Sequence, residues 1–240
     1  MTETLYETNS YLKTIETIIT QTDPDKHAVS LQKTIFYPGG GGQPNDTGWL
    51  TFGGQQLEVS KVQKIGGEVW HFLHPQPPLP EIGTRVTDEI NWERRYQLMR
   101  THSAMHVLCG VVFRDYGALV TGGNMEPLEG RMDFEFESLT KDLVQVIEDA
   151  VNKEIQQGRN IKVNILPRDE AFLIPDLIRT KINLLPPQIQ EIRTIEIEGL
   201  DLQADGGTHV NNIQEIGPVK ITNYKSKGKI NKRIYLSLTA

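Results

Sequence analysis

Up to about residue 90 the chain changes from apolar to polar in short runs. β-favouring stretches at His27–Leu31, Thr34–Tyr37, Leu57–Gln63 and Val69–Leu73 are divided by glycine- or proline-rich turns. That spacing predicts a small barrel or sandwich. Pro75 to Pro80 (PQPPLP) reads as a stiff exit, with a domain boundary near residues 82–92. From Trp92 to Tyr116 the period becomes helical, with Leu98, Met99, Ala104, Met105, Leu108 and Val112 predicting a helix packed on one side and capped by Asn91 or Asp88. Arg131–Glu137 alternates apolar and acidic residues as a half-buried strand does. Thr140 caps a helix over Lys141–Gln157 that stops at Gly158. Strands follow at Ile161–Leu166 and Ile192–Ile197, with a helical turn at Arg168–Phe172 between them. A loop then covers Asp201–His209, and Val219–Tyr224 and Ile230–Leu238 form a hairpin around Lys227-Gly228-Lys229. The second part is α+β, an antiparallel sheet with helices. The expected domains are 1–90 and 91–240.

Composition narrows the class. The chain is 38% hydrophobic and 23% charged, with one cysteine, Cys109, so an internal disulfide is excluded and a reducing compartment, the cytoplasm, is expected. No apolar run approaches the roughly 18 residues of a membrane span, and the first ten residues lack the pattern of a secretory signal. The net charge of −6 argues against indiscriminate nucleic-acid binding. Two local clusters run against that sign. Lys220, Lys225, Lys227, Lys229, Lys232 and Arg233 follow one another without a carboxylate between, and Arg94, Arg95 and Arg100 lead into the long helix. Such patches can contact phosphates, and composition alone fits a solvated lysine-rich hairpin equally well.

Candidate chemistry centres on His102 and His106. Four apart on a helix, they face the same way about one turn apart and can reach one metal ion. The spacing is that of zinc proteases, but the position of their glutamate base is held here by Ser103, so the protease reading fails. Further ligands are sought at Asp205-Gly206-Gly207-Thr208-His209, where Asp205 and His209 again stand four apart. Three imidazoles suit zinc. With an open fourth position they would activate a water for attack on an ester or amide; with Asp205 as fourth ligand the ion mainly positions substrate or expands its coordination. Asp205 also fits a simpler role, as a carboxylate stabilising the Gly206-Gly207 bend. A glycine-rich segment, Gly39 to Gly42 followed by Gln43, lets backbone approach a ligand closely. It is not a phosphate-binding P-loop, since no Gly-Lys-Ser/Thr follows, and taken alone it reads as a flexible loop.

Three separated motifs, FYPGGGGQPNDTG, RTHSAMHVL and DLQADGGTHV with EIGPVKI after it, together resemble the AlaX family of freestanding alanyl-tRNA editing proteins. That family is similar to the editing domain of alanyl-tRNA synthetase and to the second additional domain of threonyl-tRNA synthetase. The resemblance implies an N-terminal β-barrel carrying the glycine motif and a C-terminal α+β editing domain with one Zn2+ per chain. It implies hydrolysis of the ester joining a wrong amino acid, chiefly serine and also glycine, to tRNA(Ala). No synthetase activation domain is expected in this length, so editing would act in trans. His102, His106 and His209 map onto the metal ligands. The family's frequent Cys-x-x-x-His pair appears here with Asp205 in the cysteine's place, which leaves that carboxylate as ligand or as catalytic base. Cys109, one turn beyond His106, reads as a packing residue.

An editing site can favour serine with polar groups that alanine leaves unpaired, at a cost on the order of 1–3 kcal/mol. Thr121, Gln203 and Thr208 are the candidates for that contact. Gly39, Gly40, Gly41, Gly42 and Gln43, with Lys225, Lys227, Lys229 and Arg233, are the candidates for holding the tRNA acceptor end. Two rival classes stay open: a metal-containing tRNA-binding module without turnover, and a zinc hydrolase of small esters or amides.

Overall fold

The computed structural model describes residues 1–74, 78–180 and 189–239. Pro75, Gln76 and Pro77 of the proline stretch lie outside the described residues. The chain divides into two units, Met1–Tyr96 and Gln97–Ala240.

In the first unit the strands are β1 (Glu3–Thr4), β2 (Thr14–Asp23), β3 (Ala28–Leu31), β4 (Lys33–Thr34), β5 (Gly48–Phe52), β6 (Gln55–Ile65), β7 (Glu68–His74) and β8 (Arg85–Ile90). Six of them close into an antiparallel barrel in the order β2-β3-β7-β6-β5-β8, and β1 pairs with β4 in parallel. Closure leaves the barrel strands without a free edge. Ile19, Leu31, Leu50, Val59, Val69 and Val86 fill the interior. The barrel expectation holds. Three of its strands were not predicted. β2 is interrupted by a register shift between Ile19 and Gln21, which breaks its two-residue period. β5 opens on Gly48, where an added Cβ would lie 2.1 Å from Glu89 O, so backbone approach replaces side-chain patterning. β8 turns Asp88, a charged type, into the barrel interior.

The expected strand Thr34–Tyr37 is a correction: only Lys33–Thr34 pairs as strand. Ile35, Phe36 and Tyr37 leave the ladder and are buried, and side chains take over their amides. Ile35 N donates to Asp88 Oδ2 (3.3 Å), Phe36 N to Thr34 Oγ1 (3.1 Å) and Tyr37 N to Asp46 Oδ2 (2.6 Å). Asp46 is also clamped by Arg95, whose Nε lies 3.0 Å from both carboxylate oxygens and whose Nη2 donates to Oδ2 as well. Arg95 further donates to Ser10 O (2.9 Å) and Ile35 O (2.6 Å) and is fully buried. It is therefore no phosphate contact, which corrects the reading of the Arg94–Arg100 cluster. Arg94 reaches Asn45 O (3.3 Å), and Asn91 caps the following helix by accepting from Arg94 N (3.1 Å).

Helix α1 (Trp92–Tyr116) runs on into the second unit, followed by β9 (Val120–Glu126), β10 (Glu129–Glu135), α2 (Lys141–Gln156), β11 (Ile161–Pro167), α3 (Arg168–Ala171), β12 (Glu191–Ile197), β13 (Asp201–Ala204), β14 (Val219–Ser226) and β15 (Asn231–Leu238). Two antiparallel sheets result, β14-β15-β10-β9 and β11-β12-β13. The α+β class is as expected. α2 is capped by Thr140, whose hydroxyl accepts from Leu143 N (3.2 Å), and it buries Val144, Ile147, Val151 and Ile155. α1 differs from expectation: every residue from Thr101 to Val112 is buried, so it is enclosed on all sides. Glycines permit this. A Cβ on Gly130 would stand 2.9 Å from Met105 Sδ, and one on Gly110 3.0 Å from Asp201 Cβ. Among the described residues no helix is long and apolar enough to cross a membrane.

Two tests follow from the barrel. Arg95→Met strands the buried Asp46 carboxylate and is expected to cost about 3–5 kcal/mol in urea unfolding. An unchanged midpoint would contradict the clamp. Asp88 is pushed up from 3.8 to about 7, chiefly by burial. A raised folded pKa means its contribution is full below 3.8 and is lost as pH climbs through about 7. The melting temperature of Asp88→Asn minus that of the native chain should therefore rise between about pH 4 and about pH 7 and level off above; a flat difference would refute it.

Candidate metal centre

α1 presents His102 and His106 with ring centroids 5.0 Å apart. β13 and the turn after it bring His209 against them, its ring 4.3 Å from His102 and 4.7 Å from His106. Asp205 completes the group: one ligand atom from each of the four residues lies within 4.8 Å of the others. Its oxygens divide the work. Oδ2 accepts from Gly207 N (2.7 Å) and lies 3.1 Å from His209 Nε2, while Oδ1 lies 3.6 Å from His102 Nε2 and 4.0 Å from His106 Nε2. The turn role and the cluster role of Asp205 are thus both present in one carboxylate.

Burial, first of all, lowers the pKa of each imidazole below the ordinary 6.5, and the neighbouring charges do not reverse it. The neutral ring is the form that ligates metals. Burial works against the Asp205 carboxylate, but the three imidazoles overcome it and hold that group well below the usual range. Tetrahedral zinc with bonds of about 2.0–2.1 Å needs donors roughly 3.3 Å apart. From Asp205 Oδ1 the separations to His102 Nε2 and His106 Nε2, 3.6 and 4.0 Å, stand a little above that value, and ligand atoms of all four residues lie within 4.8 Å of one another, so the chemistry of the donor set, three imidazoles and a carboxylate, fits such an ion.

Four residues around the cluster were not singled out as site residues. Ser103, considered only for the base it replaces, lies 3.2 Å from His209 Nδ1 through its Oγ. Asp201 Oδ2 lies 3.8 Å from His106 Nδ1, and Asp201 is itself held by Arg179 Nε at 3.2 Å. Arg193 donates to Asp205 O (2.9 Å). The signal for Asp201 was its spacing: Asp201-x-Gln203 alternates on a strand and puts both residues on one face. Reading Asp201–His209 wholly as loop hid it.

The other predicted site residues are not among the four that offer ligand atoms. Gln203 is half-buried on β13 and donates to Asp201 Oδ2; Thr208 is fully buried. Thr121 is exposed on β9 and donates to Asn231 Oδ1 (3.1 Å). Lys225, Lys227 and Lys229 are exposed near the tip of the β14–β15 hairpin. Arg233 is engaged by Asp133, Nε to Oδ1 at 2.5 Å and Nη2 to Oδ2 at 2.7 Å. Lys232 is buried, its Nζ curled onto Gly228 O and Lys229 O (both 2.9 Å). In the first unit Gly39, Gly40, Gly41 and Gly42 all have positive φ, from 56° to 140°. Gln43 is buried, and its backbone exchanges two hydrogen bonds with Gly40. The Cys109 thiol is buried and pushed up by that burial, as a packing residue's would be.

Residues 3–94 match the family described as tRNA synthetases class II (A), and residues 192–235 match the threonyl and alanyl tRNA synthetase second additional domain. The chain is 39% identical over 241 residues to the alanyl-tRNA editing protein AlaX-M of Saccharolobus solfataricus, covering 99% of each. It is 36% identical over 244 residues to the AlaX-M protein of Methanosarcina acetivorans, again over 99% of each. Against the alanine–tRNA ligase of Saccharolobus islandicus it is 36% identical over 227 residues, 92% of this chain and 25% of the ligase. A likeness running from the barrel through the histidine cluster, along almost all of each editing protein, establishes that the chain belongs to the AlaX family of alanyl-tRNA editing proteins.

Proposed function

We propose that this protein deacylates mischarged tRNA(Ala) in trans, cleaving the ester to serine and also to glycine, at a site holding one Zn2+. The observation that carries the reading is the buried convergence of three neutral imidazoles and a carboxylate in a chain of this family. His102, His106 and His209 would hold the ion through Nε2, with Asp205 Oδ1 on the fourth side. With Asp205 as fourth donor, a cation so held would supply Lewis acidity toward an ester carbonyl and position the substrate. The rest is the chain's own work. Arg193 and the Gly207 amide hold Asp205 in place. That anchoring supports ligation by Asp205 over a role as a free base, since Oδ2 is already committed to the turn.

For the choice of amino acid, Gln203 is the best placed of the three candidates, because it stands half-buried on the same strand face as Asp201. Thr208 is close in sequence but fully buried, and the exposed Thr121 is the weakest. The acceptor end would meet the backbone amides of the Gly39–Gly42 loop and the exposed Lys225, Lys227 and Lys229. The buried Gln43 side chain and the paired Arg233 are secondary in that role.

Deacylation of Ser-tRNA(Ala), Gly-tRNA(Ala) and Ala-tRNA(Ala) by the purified protein tests the activity. Serine release should be fastest and alanine release slowest. Tight binding of the charged tRNA without release would leave a binding module. Turnover of small esters alone would leave a general hydrolase. Metal analysis tests the centre: about one zinc per chain is expected, and His102→Ala should lower both zinc content and kcat/KM, the latter on the order of 100-fold or more. Asp205→Ala separates the roles of that residue. Loss of zinc marks a ligand, retained zinc with lost hydrolysis marks a base, and no change in either marks the turn alone.

A further inference from the structure

Ser103 occupies the position that carries the general base in the zinc proteases of similar spacing, yet its hydroxyl is turned into the protein. It is fully buried, accepts from Val210 N (3.2 Å), and lies 3.2 Å from His209 Nδ1. Val210 and His209 are buried too, so water is a poor substitute for that oxygen. Histidine Nδ1 and Nε2 are coupled in the neutral ring: one carries the proton and the other is an acceptor. His209 Nε2 lies 3.1 Å from Asp205 Oδ2, an acceptor, which favours a proton on Nε2 and an accepting Nδ1 when no cation is present. For Nε2 to offer its lone pair to a cation, that proton must move to Nδ1. A neighbour of Nδ1 must then change from donor to acceptor. A hydroxyl does so by rotating its one proton, since it offers a donor and two lone pairs at the same oxygen.

We infer that Ser103 is a positioning residue for the metal centre, holding the His209 ring and accepting its Nδ1 proton when Nε2 is given to the ion. The inference rests on the metal reading proposed above. It also accounts for a hydroxyl at a position buried inside α1. In its absence the Val210 amide and His209 Nδ1 would both be left without this oxygen.

Ser103→Ala and Ser103→Thr, made in the full chain, test it. Zinc affinity is read by competition with a chromophoric chelator, and folding by the melting temperature of the metal-free protein. The alanine variant should fold and bind zinc about 10–100-fold more weakly, while the threonine variant, which keeps the hydroxyl, stays near the native value. In zinc-loaded native protein a proton–nitrogen correlation spectrum should show His209 protonated on Nδ1 with slow exchange, a signal weakened in the alanine variant. Native affinity in the alanine variant, equal losses in both variants, or an alanine variant unfolded without metal would overturn the assignment. If the native chain takes up no zinc, the metal reading itself fails, an outcome distinct from the others.

Discussion

Three buried imidazoles packed around a single carboxylate set the terms for the second unit. Desolvation keeps the rings neutral, and the Asp205 charge is retained against its burial by the imidazoles around it together with the Gly207 amide. An ionised group buried in this way is costly unless its partners are held in place. The surroundings supply that hold. α1 is encased by glycines that let Met105 and Asp201 approach closely, so the histidines leave the helix in fixed directions. Arg193 and Gly207 N fix Asp205, and Ser103 and Asp201 stand beside the outer nitrogens of His209 and His106.

The first unit solves a related problem by different means. Its interior contains a segment, Ile35–Tyr37, that is too irregular to pair as strand. Buried carboxylates and a hydroxyl receive those amides, and Arg95 neutralises Asp46. The same clamp fixes the far end of the glycine-rich stretch, since Asp46 N also donates to Tyr37 O (3.0 Å). The loop between these anchors is free to consist of glycines with positive φ, a conformation other residues adopt only under strain. Rigid ends and a side-chain-free middle suit backbone contact to a ligand.

What could be read from the sequence follows from how local the signal is. The limits of α1 and α2, the Thr140 cap and the closing hairpin depend on neighbours in the chain and were legible. So were the four residues of the cluster: helical spacing puts His102 and His106 on one side of α1, and the Gly206-Gly207 turn brings Asp205 beside His209. β2, β5 and β8 were hidden by a register shift, a glycine contact and an inward carboxylate, each decided by a distant strand. The enclosure of α1 was hidden too, since a helix packed from all sides shows no clear polar stripe. Arg95 looked like surface charge because its partner, Asp46, lies far away in the sequence. Charge in a list of residues does not reveal whether it faces water.

The aspartate in place of the cysteine carries the last step. A thiolate offers one sulfur, whereas Asp205 uses two oxygens at once, one for the turn amide and one toward His102 and His106. A single sulfur on that ion would leave Gly207 N to find another acceptor. A carboxylate oxygen is also a harder donor than a thiolate and transfers less charge, so an ion held by three nitrogens and one oxygen stays more electrophilic. On the proposed reading, Asp205 as fourth donor would therefore favour polarisation of an ester. The same carboxylate ties the conformation of the Gly206-Gly207 turn to the histidine cluster, so that loop and cluster are ordered by one side chain.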